Sequence, residues 1–161
     1  MDVKRISEFY RTNRIPFGAT IPTEMLEGLP NLDLLNYLKF LLPERPPFVS
    51  SVYLISADGV QAFEEPHIYE HALFKNGFFP VAQSMAADLL SVDKISGQVF
   101  WFKLDHFVSD LGTIIDLNNV EQEATPENLK EIGIYVGEFN ETFIERILDG
   151  AFTRLFNLLG E

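Results

Sequence analysis

The chain contains no cysteine. That absence excludes disulfides, thiolate-held zinc, iron–sulfur clusters and a thiol nucleophile together. Long hydrophobic runs are missing too: apolar stretches last a handful of residues, against the roughly 20 a helix needs to cross a bilayer. The sequence opens Met1-Asp2-Val3-Lys4-Arg5 with no apolar h-region behind it. No secretory signal is therefore expected, and the cytoplasm is the expected location. Basic residues are also scarce. Twelve Lys and Arg stand against 24 Asp and Glu, a net charge of −12. Residues 46–129 hold 12 of the acids and only three bases, Lys75, Lys94 and Lys103, so −9 lies in the middle of the chain. Phosphate contacts come from Lys and Arg, so direct binding of nucleic acid is disfavoured. Anionic membrane surfaces are disfavoured for the same reason. Two readings of the acidity stay open: a basic protein partner, or solubility alone.

What is present is a core. With 161 residues, 47% of them hydrophobic, the chain is one domain in size and should bury roughly 70% of its unfolded surface. The expected division is a single domain over 1–161, with its core at about 23–160 and an N-terminal helical arm at 1–22. Val3, Ile6 and Tyr10 repeat at helical spacing within that arm. Pro16, Gly18, Pro22, Gly28 and Pro30 mark connecting chain, with a helical turn at 23–27 capped by Thr23. Residues 31–42 form a leucine-rich helix, with Leu32, Leu35, Leu38 and Leu42 on one stripe, stopped by Pro43.

From residue 48 the period falls to two. A strand through Tyr53 and Ile55, an Asp58-Gly59 turn and a return strand over 60–63 read as a hairpin. Residues 78–82 read as a strand that Pro80 confines to an edge or a bulge. Residues 89–93 and 98–104 are strands joined through 94–97, the second largely apolar on both faces, so that one face packs on the core and the other is covered by a helix. Trp101 is read as core. A short strand is expected at 113–117 and another β-prone stretch at 132–136. Thr125-Pro126 starts a helix. A final helix over 141–159, capped by Asn140, buries Phe143, Ile147 and Leu155, with Gly150 inside it. Strands between terminal helices give an α+β fold, with a mostly antiparallel central sheet flanked by helices.

Chemistry-bearing patterns are thin. Ser84 lacks the glycines of a nucleophile elbow, and neither a phosphate loop nor a dinucleotide fingerprint occurs. His67 and His71, four apart, would share a helix face as metal ligands do, but Pro66 and β-prone neighbours speak against that helix. Asp116 with Asn118 and Asn119 lacks the glycine and the next ligand of a calcium loop. Asp88 and Asp93 flank a strand five residues apart and point to opposite faces, which a converging acid/base pair does not do. No enzyme, no metal and no cofactor are expected. Residues 46–74 hold no Lys or Arg at all. On local charge density, the acids expected at a partner surface are Glu64, Glu65 and Glu70, then Asp88 and Asp93.

Several motifs in order resemble the SUKH superfamily, whose founding members are cell-wall synthesis regulators of the Smi/Knr type. They are Leu29-Pro30 with Tyr37, Leu38 and Leu42; Phe79-Pro80-Val81-Ala82; Asp88-Leu89-Leu90-Ser91-Val92-Asp93; Gly97-Gln98-Val99-Phe100-Trp101; and Thr142-Phe143-Ile144-Glu145-Arg146-Ile147-Leu148. Residues 84–87 lack the family's glycines, and 106–138 read as added material. The resemblance implies a SUKH-like α+β domain acting as a non-enzymatic protein-binding module. It further implies a bacterial immunity protein that neutralises a polymorphic toxin, often a nuclease and so a basic partner. The alternative it leaves is a regulatory or scaffold module binding host proteins.

Overall fold

The computed structural model describes residues 1–47, 51–108 and 112–159. Among them the chain runs α1 (Val3–Thr12), α2 (Leu32–Phe40), β1 (Val52–Leu54), α3 (Ala57–Gln61), α4 (Tyr69–Lys75), β2 (Phe78–Ser84), β3 (Leu89–Asp93), β4 (Gln98–Phe102), β5 (Thr113–Ile115), β6 (Glu121–Glu123), α5 (Pro126–Ile132), β7 (Ile134–Glu138), α6 (Glu141–Leu148) and α7 (Ala151–Leu159). Five strands form one antiparallel sheet in the order β1-β2-β3-β4-β7, and β5 and β6 make a separate ribbon. The architecture is the α+β class expected from the sequence.

Register divides the sheet into two apolar faces. Pairing of Phe78 with Asp93, of Pro80 and Phe100 with Ser91, and of Phe102 with Leu89 puts the phenylalanines on one side. Their rings meet edge to face: Phe78 lies 5.2 Å from Phe102 and 5.9 Å from Phe100, and Phe102 lies 6.4 Å from Phe107. Such pairs add to the gain from burial alone. The opposite face carries Leu90, Val92, Val99 and Trp101, all buried. β1 touches α6 and α7, and α1 crosses both α6 and α2.

The segment set apart as an arm is part of this core. Ile6 and Tyr10 of α1 are fully buried, and Arg5 grips Glu145 of α6 through two nitrogens at 2.6 and 3.0 Å. Material read as an addition at 106–138 also belongs to the main body, because β7 completes the central sheet. Residues 48–50, 109–111 and 160–161, which carry parts of these expectations, lie outside the described residues.

Four local expectations are corrected. Asp58-Gly59 is no hairpin: both residues lie in α3, behind Ser56. Val60 and Phe63, three apart, share one face on a helical path and are both buried; on a strand they would diverge. The terminal helix is two helices, broken at Gly150 with φ +83°. Glycine there takes the left-handed turn that ends α6, and the Asp149 carboxylate accepts the Ala151 N–H at 3.0 Å to start α7. The turn at Thr23–Met25 is capped by no side chain, and Pro22 precedes it. In α2 the buried face runs through Leu34, Tyr37 and Leu38, whereas Leu32 is exposed. Pro80 sits at a bulge, as expected, but in an interior strand, past the end of the three-residue β1.

Candidate partner-binding groove

The five acids singled out from the sequence divide into two kinds. Glu64 and Glu65 are exposed, and Glu70 is half-buried in the first turn of α4. Asp88 and Asp93 are buried and bonded inward, which corrects their assignment to a partner surface. Asp88 accepts the Leu104 N–H at 2.9 Å and the Trp101 indole N–H at 3.3 Å. Asp93 accepts the N–H groups of Ile95 and Ser96 and pairs with Lys130 at 3.1 Å. Burial pushes the Asp93 carboxyl up, but the Ile95 N–H, Lys130 and the Ser96 N–H outweigh it and hold the pKa below the usual value. Local charge density does not separate a rim acid from one that closes a turn. Only its partners do.

An open groove of about 620 Å³ runs between residues 67–70 and residues 104–108. Ile68, Leu104, Phe107 and Val108 supply its apolar lining, with Tyr69, Glu70 and His67 on one wall. Tyr69 is held from behind. Its hydroxyl donates to the Ala87 carbonyl and accepts from Gln83 Nε2 at 3.0 Å. Burial is the main cause raising its phenol pKa well above the ordinary value. The Tyr69 and Phe107 rings lie 5.8 Å apart at 53°, and Phe107 bridges to Ile114 of β5. Hence the ribbon that the sequence offered as a surplus strand positions one wall of the groove. Met85, 68% exposed, stands on the β2–β3 hairpin whose Ala87 carbonyl anchors Tyr69.

Among the described residues no Lys or Arg lines this groove. Glu64 and Glu65 lie just ahead of its α4 wall, and Asp105, also exposed, follows Leu104 on the other. An apolar centre with a charged rim is the anatomy of a protein interface. Lys94, one of the three bases of the middle section, is turned inward: its ammonium donates to the Phe74 carbonyl at 2.7 Å and lies 4.0 Å from the Phe74 ring centre. Burial lowers its pKa to about 8. Sequence reasoning found the acids but missed Tyr69 and Phe107, which are 38 residues apart and meet only through the fold.

The histidines are placed otherwise than a helical ligand pair. His67 precedes α4 and faces Glu65 at 3.3 Å, while His71 Nδ1 meets the Phe63 carbonyl at 2.7 Å. Among the described residues no three His, Asp or Glu side chains are grouped to hold a metal ion. Ser84 Oγ accepts the Asp88 N–H at 3.1 Å, a turn-closing role. No described helix is long and apolar enough to cross a membrane.

Comparison with known proteins finds no matching family model, no matching curated protein and no matching solved structure. The likeness to the SUKH superfamily therefore rests on the short sequence motifs alone.

Proposed function

We propose that this chain is a non-enzymatic binding module that docks a basic protein domain, in the manner of a cytoplasmic immunity protein occluding a toxin. The carrying observation is the groove itself: an apolar lining of Ile68, Leu104, Phe107 and Val108, with no Lys or Arg among the described lining residues, and exposed Glu64, Glu65 and Asp105 close in the chain to its walls. Charge complementarity favours a basic occupant. The SUKH-like motifs add the immunity role, and a regulatory or scaffold role is the other outcome of the same test.

The test begins with the neighbouring reading frame. Its product, if it is a secreted protein with a C-terminal toxin domain, is purified as that domain and mixed with this chain. Binding should be steered by charge, with an on-rate above the roughly 10⁵–10⁶ M⁻¹s⁻¹ of neutral pairs. It should slow steeply with salt as the Debye length shrinks from about 10 Å at 0.1 M to about 3 Å at 1 M. Glu64→Lys with Glu65→Lys should mimic the salt. Failure of the toxin domain to bind removes the immunity role. Salt-independent association leaves the acidity to solubility.

A further inference from the structure

Glu70 lines the groove with a charge that the protein does not answer. It is half-buried, and burial is the main cause raising its pKa, against the lowering effect of its own backbone N–H. The ion pairs among the described residues engage Asp33, Glu65, Asp93 and Glu145, not Glu70. A carboxylate taken partly out of water without a cation is unfavourable, and a cation entering the groove would relieve it. Beside it stand two aromatic rings, Tyr69 and Phe107, tilted 53° to each other. The two hydrogen bonds at the Tyr69 hydroxyl fix that ring in place, so it needs no reordering on binding.

We propose that the groove is an arginine receptor: one guanidinium of the basic partner enters it, pairs with the Glu70 carboxylate and lies against Tyr69 and Phe107. The inference rests on the reading above for its partner, but its chemistry stands on these three residues. Arginine fits better than lysine for physical reasons. Its planar cation stacks on aromatic faces, offers two parallel N–H groups to a carboxylate, and is more weakly hydrated than an ammonium. A metal ion is a poor occupant, since Glu70 and His67 lack a third ligand among the described residues. An anion would meet like charge.

The full chain, labelled with nitrogen-15, is titrated with N-acetyl-arginine amide, its lysine counterpart and its citrulline counterpart. Citrulline keeps the shape of arginine and removes the charge. The arginine compound should shift the amide signals of Tyr69, Glu70 and Phe107 at millimolar concentration, and the other two should bind at least several-fold more weakly. Glu70→Gln should weaken arginine roughly ten- to a hundredfold, the range for losing a hydrogen bond to a charged group. Phe107→Leu keeps an apolar wall without the ring and should also weaken it. Equal binding of the three compounds, shifts centred elsewhere, or wild-type affinity in Glu70→Gln would overturn the receptor. These outcomes are separable from the partner's fate. A toxin domain that binds with salt-dependent rates while arginine amide does not would keep the immunity reading and remove the receptor; the reverse pair of results would do the opposite.

Discussion

The indole of Trp101 donates to Asp88 Oδ2 across 3.3 Å, tying the end of β4 to the turn that enters β3. The other oxygen of the same carboxylate accepts the Leu104 N–H at 2.9 Å, where the chain leaves β4 for the groove wall. One side chain therefore fixes both the Ala87 turn that anchors Tyr69 and the segment that carries Phe107.

Asp88→Ala should loosen both ends of that arrangement. Leaving the Leu104 N–H without this acceptor costs roughly 1–3 kcal/mol. Urea denaturation should show a loss of that order, and protection of the Leu104 amide against hydrogen exchange should fall more than that of Val92. Unchanged stability would mean the turn is held by other contacts.

Glu70 gives a pH dependence of one sign. Its folded pKa is raised above 4.5, burial being the first cause, so the folded state holds a proton more readily than the unfolded chain. The contribution of Glu70 to stability is thus fully present below about pH 4.5 and is lost as pH rises through the folded pKa. Glu70→Gln should melt a few degrees higher than wild type at pH 7 and no higher at pH 3. A gain in stability coupled to a loss of arginine binding is the trade expected of a functional carboxylate.

Asp93 gives the opposite sign. Its pKa is lowered from 3.8 despite burial, through the Ile95 and Ser96 N–H groups and Lys130. Its contribution is present above the unfolded value and is lost as pH falls through the lower folded value. Asp93→Asn should flatten the acid limb of stability below about pH 4. Lys130, half-exposed, should matter less: Lys130→Met should cost at most about 1 kcal/mol at pH 7.

Phe152 is fully buried in α7, 5.1 Å from the Phe143 ring and with the Arg146 guanidinium 4.9 Å above it. Phe152→Ala should cost about 3–5 kcal/mol as a core truncation. Gly150→Ala, which forces a Cβ into the left-handed turn at φ +83°, should cost about 1–2 kcal/mol. Thermal melts of the two variants check the order. A larger loss at Gly150 than at Phe152 would show the turn, not the packing, to be limiting.

Elements whose signals are local were legible in the sequence. Thr125 and Asn140, read as caps, each hold the helix that follows by accepting the N–H of the residue three on; Asn31, read as the first residue of its helix, does the same. A cap and its helix lie within one turn of chain, so the signal is local, although the same signal at Thr23 led to no cap. The doubly apolar strand β4 was legible for a similar reason, since burial on both faces leaves no polar alternation. Contacts between distant segments decided the rest. Asp58-Gly59 has the composition of a hairpin turn, but burying Val60 and Phe63 on one side requires a helix. Gly150 breaks a helix that hydrophobic spacing alone runs through, because periodicity does not report φ. Asp88 and Asp93 carry the same formal charge as Glu64 and Glu65. Tertiary structure turned the first two inward, onto N–H groups that would otherwise be buried unpaired, and left the other two in water. The groove is wholly tertiary, since Tyr69 and Phe107 become neighbours only when the segment after β4, bridged to β5 at Ile114, comes beside Tyr69.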